Sequence, residues 1–160
     1  MHMPWPERSI DGLVSSEVLG SIHGRELLIQ HLGHWPTFHD FEVISISLER
    51  APWLTTATCD LRAIFYVYDL QQPPAEPERK QAFAELLFEH IDELQIAGFN
   101  HQNPIMGLSI TRRESSGASP SLFVEWGGTC LQHEVSFSCS RISVVRVIDL
   151  NPFHQSISTQ

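Results

Sequence analysis

What this chain of 160 residues lacks narrows its class before any motif is considered. No apolar run approaches the roughly 18 residues that a membrane-spanning helix needs, so no segment is expected to cross a bilayer. The opening stretch, MHMPWPERSIDG, has no cationic region followed by an apolar run, so no secretory leader is expected and the protein is expected to stay in the cytoplasm. Cysteine is scarce: Cys59, Cys130 and Cys139 form an odd set with no CxxC spacing, which excludes a zinc ribbon and suits small reduced core residues in strand-like runs. Positive charge is scarce too, with 10 Lys and Arg against 19 Asp and Glu and a net charge of −9. Residues 26–49 hold Glu26, Asp40, Glu42 and Glu49 and no Lys or Arg; residues 81–111 hold Glu85, Glu89, Asp92 and Glu93 and none either. Such a surface repels nucleic acid and attracts a basic protein, although acidity also serves plain solubility. There is no P-loop, dinucleotide fingerprint or nucleophile elbow, and the glycines of GLVSSEVLGSIHG follow no strand.

What is present reads as one mainly β domain spanning 1–160. A hydrophobic content of 42% is enough to build a core. Residues 1–14 read as a tail or loop. Residues 15–33 carry broken helical spacing, with a short helix expected near 23–32 and stopped by Gly33. From Phe38 the period changes to two: Ile44, Ile46 and Leu48 are expected on one face, Phe41, Val43, Ser45 and Ser47 on the other. TATCDLRAIFYVYDL reads as a long strand whose centre, AIFYVY, is apolar on both faces. QQPPAEPERK is an exposed break. AFAELLFEHIDELQIAGF (82–99) is ambiguous: Ala82, Leu86, Leu87, His90, Ile91 and Leu94 fit a helix, while Leu86/Phe88 and Leu94/Ile96 alternate as two strands would. GLSITRRE, SLFVEW, TCLQHEVSFSCS and RISVVRVIDL follow as strands, with Leu131, His133, Val135, Phe137 and Cys139 sharing one face of the third. The expectation is an antiparallel fold of seven or eight strands over 38–149, sandwich-like or strongly curved, with one short N-terminal helix and a C-terminal tail at 150–160.

The densest set of chemical side chains lies in HWPTFHDFEV (34–43). His34, His39, Asp40 and Glu42 have the donor chemistry of a zinc or iron site, or of a hydrolase. On a strand, however, neighbours His39 and Asp40 point to opposite faces, and nothing in the sequence places His101 or His133 beside them. The competing expectation is structural. Trp35 and Phe38 close an end of the core, Pro36 fixes a turn, and Asp40 caps backbone groups or pairs with a histidine.

GHWPTFHDFEVISISLER resembles the signature of the immunity protein 50 family of bacterial polymorphic toxin systems, through Trp35, Pro36, Phe38, His39, Asp40, Glu42 and Val43 with Gly33 just ahead. LLFEHIDELQIAGFNHQNPIMGLSI is similar to the family's middle region, through Gly98, Phe99, Asn100, Gln102 and Asn103, and VEWGGTCLQHEVSFSCSRISVVRV to its closing strands. The family is mostly β, so the resemblance implies two strands within 82–99, roughly 83–90 and 93–98. It implies a protein that binds and occludes a cognate toxin, and it implies no catalytic residues; no cofactor or metal is expected. The signature is expected to hold the fold or form a binding patch. Glu85, Glu89, Asp92 and Glu93 are the expected contacts to a basic toxin such as a nuclease. A generic β-sheet module that dimerises along a sheet edge is a further alternative.

Overall fold

The computed structural model describes residues 14–51, 57–73, 75, 79–114, 121–127 and 133–151. Eight strands among these residues form two four-stranded antiparallel sheets. The first has the order β1 (Glu42–Ala51), β2 (Thr58–Tyr68), β3 (Gln81–Glu89), β8 (Arg141–Asp149). The second has the order β4 (Asp92–Ala97), β7 (Glu134–Cys139), β6 (Ser121–Trp126), β5 (Leu108–Arg113). The sheets meet through aromatic rings: Phe65 lies 5.4 Å from Trp126, and Phe88 lies 4.9 Å from Phe137, both pairs edge to face. That arrangement suits the ring quadrupoles and fills the interior of a sandwich.

Residues 82–99 are two strands. Ala82, Ala84, Leu86 and Phe88 alternate into the core while Phe83, Glu85 and Leu87 face outward. Helical spacing arose only because the outward positions are partly apolar as well. The alternation expected at 133–139 is also present, with His133, Val135, Phe137 and Cys139 buried; Cys130 and Leu131 lie outside the described residues. Cys59 and Cys139 are free thiols, and burial pushes the Cys139 thiol up to about 12.

Four expectations need correction. The N-terminal region makes two helices, α1 (Ser16–Ser21) and α2 (Arg25–Leu32), where one was expected. His23 leaves the helical path to bridge Ser143 of β8, and Gly24 takes φ 70° where a Cβ would run into the Val144 carbonyl. Backbone pairing therefore wins over helix continuity, and only glycine fits so close an approach. Strand β1 begins at Glu42 and not at Phe38, because a tight turn occupies 38–41. Its expected faces hold only in part: Ile46 and Leu48 share a face, opposite Ala63 and Leu61, but a bulge between Val43 and Ser45 puts Val43 on that same face, opposite Phe65, and parts it from Ser45 and Ser47. One extra residue reverses the alternation. Val14, expected in a tail, bridges Ile110 of β5.

Both passages between the sheets lie at one corner. β3 leads to β4 through His90–Ile91, and β7 leads to β8 through Ser140. The Ser140 amide donates to the Glu89 carbonyl at 3.0 Å, so the two crossings are bonded to each other.

Candidate functional site

The signature 34–43 folds into a corner that joins β1 to the segment 103–108. Phe38 is fully buried, 5.6 Å from Trp35, 5.4 Å from Phe41 and 5.2 Å from Phe65. Pro36 is buried beside it. The turn is closed by the Phe41 amide donating to the Phe38 carbonyl at 3.2 Å and the His39 amide donating to Thr37 Oγ1 at 3.3 Å. Phe38 and Asp40 sit at φ 65° and 61°, left-handed conformations that cost about 1–2 kcal/mol for a residue with a side chain. Burial of the Phe38 ring, worth about 1.5–3 kcal/mol, offsets that cost.

Four backbone bonds stitch this corner to the other segment. Leu108 donates to Thr37, Asp40 to Ile105, Ile105 to Phe41 and Val43 to Asn103, all within 2.8–3.2 Å. Glu42 Oε1 accepts from the Asn103 amide at 3.3 Å. The Asn103 side chain, on a residue 3% exposed, donates to the carbonyls of Val43 and Asn100 and accepts from the Asn100 amide at 2.8 Å. Glu42 and Asn103 thus unite two stretches that are sixty-one positions apart in sequence. A buried amide so fully bonded is costly to remove.

His39 Nδ1 lies 3.1 Å from Asp40 Oδ2. The expectation that these neighbours diverge was wrong, because they occupy a turn and not a strand. The Tyr68 hydroxyl donates to the Asp40 carbonyl at 3.1 Å, and burial, then the Asp40 charge, pushes that phenol above its ordinary value. His34 is exposed and Glu42 is committed to Asn103. Among the described residues, no three His, Cys, Asp or Glu side chains gather where they could hold a metal ion. The His34, His39, Asp40 and Glu42 set therefore does not converge on a common point. What the corner does is hold two segments together.

The four carboxylates expected to form one acidic contact are divided between the sheets. Glu85 and Glu89 are on β3, while Asp92 and Glu93 are on β4. Glu85 lies 2.6 Å from Arg146 Nε and 3.2 Å from Arg62 Nη1; its own side chain is 13% exposed, against 59% and 41% for the arginines. Glu89 pairs with Arg141 at 3.4 Å and Glu93 with Arg113 at 3.1 Å. Asp92 Oδ1 accepts from the Glu93 amide at 2.9 Å. The basic residues absent from 81–111 arrive from β2, β5 and β8, so a window of sequence overstated the local charge.

Two outer faces remain. On the first sheet, cross-strand rows place Tyr66 beside Phe83 and Phe83 beside Ile148, and Ile64 beside Glu85 and Glu85 beside Arg146. Of these residues only Glu85 was singled out in the sequence, although the doubly apolar AIFYVY run contained the signal for Ile64 and Tyr66. On the second sheet, a cavity of about 640 Å³ is lined by Gln95, Glu125, Glu134 and Ser136 together with apolar residues that include Trp126. Behind it, buried His133 accepts at Nε2 from the Trp126 indole N–H (3.2 Å), which leaves Nδ1–H to donate to the Ala97 carbonyl (3.2 Å). Burial lowers the His133 pKa; the Ala97 bond and the Glu134 charge partly oppose that.

The molecule is an antiparallel sandwich whose signature segment bonds backbone to backbone across a corner. The chain belongs to the immunity protein 50 family, whose model matches residues 24–149. The match includes both segments of the corner and all eight strands. No match was found among curated proteins or among solved structures.

Proposed function

We propose that this protein is a non-enzymatic, cytoplasmic immunity protein that neutralises a cognate toxin by binding it stoichiometrically and occluding its working surface. The observation that carries this reading is the family match over 24–149. The structural use of the signature supports it: Glu42, Asn103 and the Phe38 ring serve the fold, so no reaction is required to explain them. The net charge of −9 draws a basic partner, such as a nuclease, from a distance and raises its rate of encounter. Toxicity is measured in cells that express the toxin encoded beside this protein's gene, with and without co-expression of the protein. Survival only with co-expression, and a one-to-one complex on copurification, are expected. Equal killing in both cultures rejects the reading.

A further inference from the structure

We infer that two copies of this chain pair edge to edge through β1, so that their four-stranded first sheets run on as one. This stands apart from the immunity reading, which asks only for a surface that meets the toxin. A sheet edge is a row of backbone N–H and C=O groups open to another strand, and folded proteins blunt such edges. Among the described residues, three of the four edges are blunted. On β8, the Val144 amide donates to the His23 carbonyl and the His23 amide to the Ile142 carbonyl, with α2 packed alongside. On β5, Val14 bridges Ile110. β4 is short, begins with Asp92 and Glu93, and has its ladder broken where Glu93 takes φ 56°. β1 differs. Its first residues, Glu42 and Val43, meet 103–104, but among the described residues no backbone bond is made to the outer side of Ser45–Ala51.

The side chains at that edge define what completes it. One inward row of the first sheet passes from Ile142 through Phe88 and Leu61, each fully buried, and ends on Leu48, which is 51% exposed. The row beside it ends on partly buried Ile46. The core rows therefore run out at an open strand, and a further strand with an apolar inward face continues them. β1 is such a strand, and it matches itself on both faces in one register. With a twofold axis perpendicular to the sheet at Ser47, Leu48 of each copy lies opposite Ile46 of the other, while Ser45 and Glu49 meet on the outer face. Charge permits this contact. Ser45–Ala51 holds one acid, Glu49, and one base, Arg50, so the strand is neutral although the chain carries −9. The register sets the two Glu49 residues about 13 Å apart along the strands. The remaining repulsion between the two chains is long-ranged and is screened by salt.

The test is sedimentation equilibrium of the full chain, from about 10 μM to about 1 mM, in low and high salt. The mass is expected to rise from that of one chain toward that of two, and to do so at lower protein concentration in high salt. Ser47 is exposed, so Ser47→Lys disturbs the single chain little and sets like charges face to face on the axis. It is expected to weaken the dimer at least about ten-fold, with Gln95→Lys on the β4 edge as an unchanged control. Amide exchange of wild type at the two ends of the concentration range needs no variant to fold; added protection is expected within 45–51. A chain that stays monomeric throughout overturns the proposal, and if the neighbouring gene's toxin then adds protection at 45–51, the edge belongs to the toxin. A dimer that Ser47→Lys leaves within about two-fold, or one that protects only β4 or β5, overturns the placement on β1.

Discussion

The two sheets share an interior and differ outside. Both contribute large rings to the core, Phe65 and Phe88 from one, Trp126 and Phe137 from the other. Outside, the first sheet presents Tyr66, Phe83 and Ile148 beside Arg62 and Arg146, which are held on Glu85, whereas the second presents Gln95 and Ser136 at a cavity and Arg113 stacked 3.8 Å over Phe123. The inward faces obey one requirement, dense packing, and converge on one chemistry. The outward faces obey none in common, so their difference is where a partner can be recognised.

The strongest way to probe the shared part is Trp126→Ala. Trp126 is fully buried and touches rings of both sheets, so its truncation is expected to cost about 3–5 kcal/mol in urea unfolding. Amide exchange should rise in both sheets together. A loss confined to β5, β6 and β7 would mean that the sheets are less coupled than the rings imply. The charged faces give a smaller contrast. Glu85→Gln removes a largely covered carboxylate between two arginines and is expected to cost about 1–2 kcal/mol. Glu93→Gln removes an exposed partner of Arg113 and is expected to change stability by less than about 0.5 kcal/mol. Equal effects would erase the distinction drawn between the two faces.

The smallest effect concerns acid. His133 is held neutral in the fold and its pKa is lowered, so the unfolded chain binds more protons as the pH drops. The stability it contributes is present above about pH 6.5, the ordinary imidazole value, and is lost as pH falls below that toward the folded value. A protonated Nε2 would turn a donor toward the Trp126 N–H, so β4 and β7 should lose exchange protection before β2 and β3. Earlier loss in the first sheet would contradict this.

The sequence made parts of this plan legible and concealed others for physical reasons. Alternation at 133–139 marks β7 because one face there is wet. The same signal is blurred in β3, where apolar Leu87 faces outward between Arg62 and Ser143 and restores a helical spacing. Resemblance resolved it where period did not. The bulge after Val43 was hidden because it changes which face is inward without changing composition. The left-handed turn at Phe38 and Asp40 was hidden because neither residue announces such a backbone. As for the candidate site, the signature segments were visible, but the bond from Asn103 to Glu42 belongs to the fold and not to either segment. The arginines above Glu85 come from β2 and β8 and could not be counted from a window around β3.

The position of β8 has a consequence in time. Strand β3 is flanked by β2, made before it, and by β8, made after every other strand. While a ribosome is still adding the residues of β7, the chain holds β1, β2 and β3 with the β3 edge open, and unpaired N–H and C=O groups line that edge. The crossing bond from Ser140 to Glu89 can form only as synthesis passes residue 140. A nascent chain therefore lacks a closed first sheet until β8 has been made, and its β3 edge is open to wrong pairing for that interval.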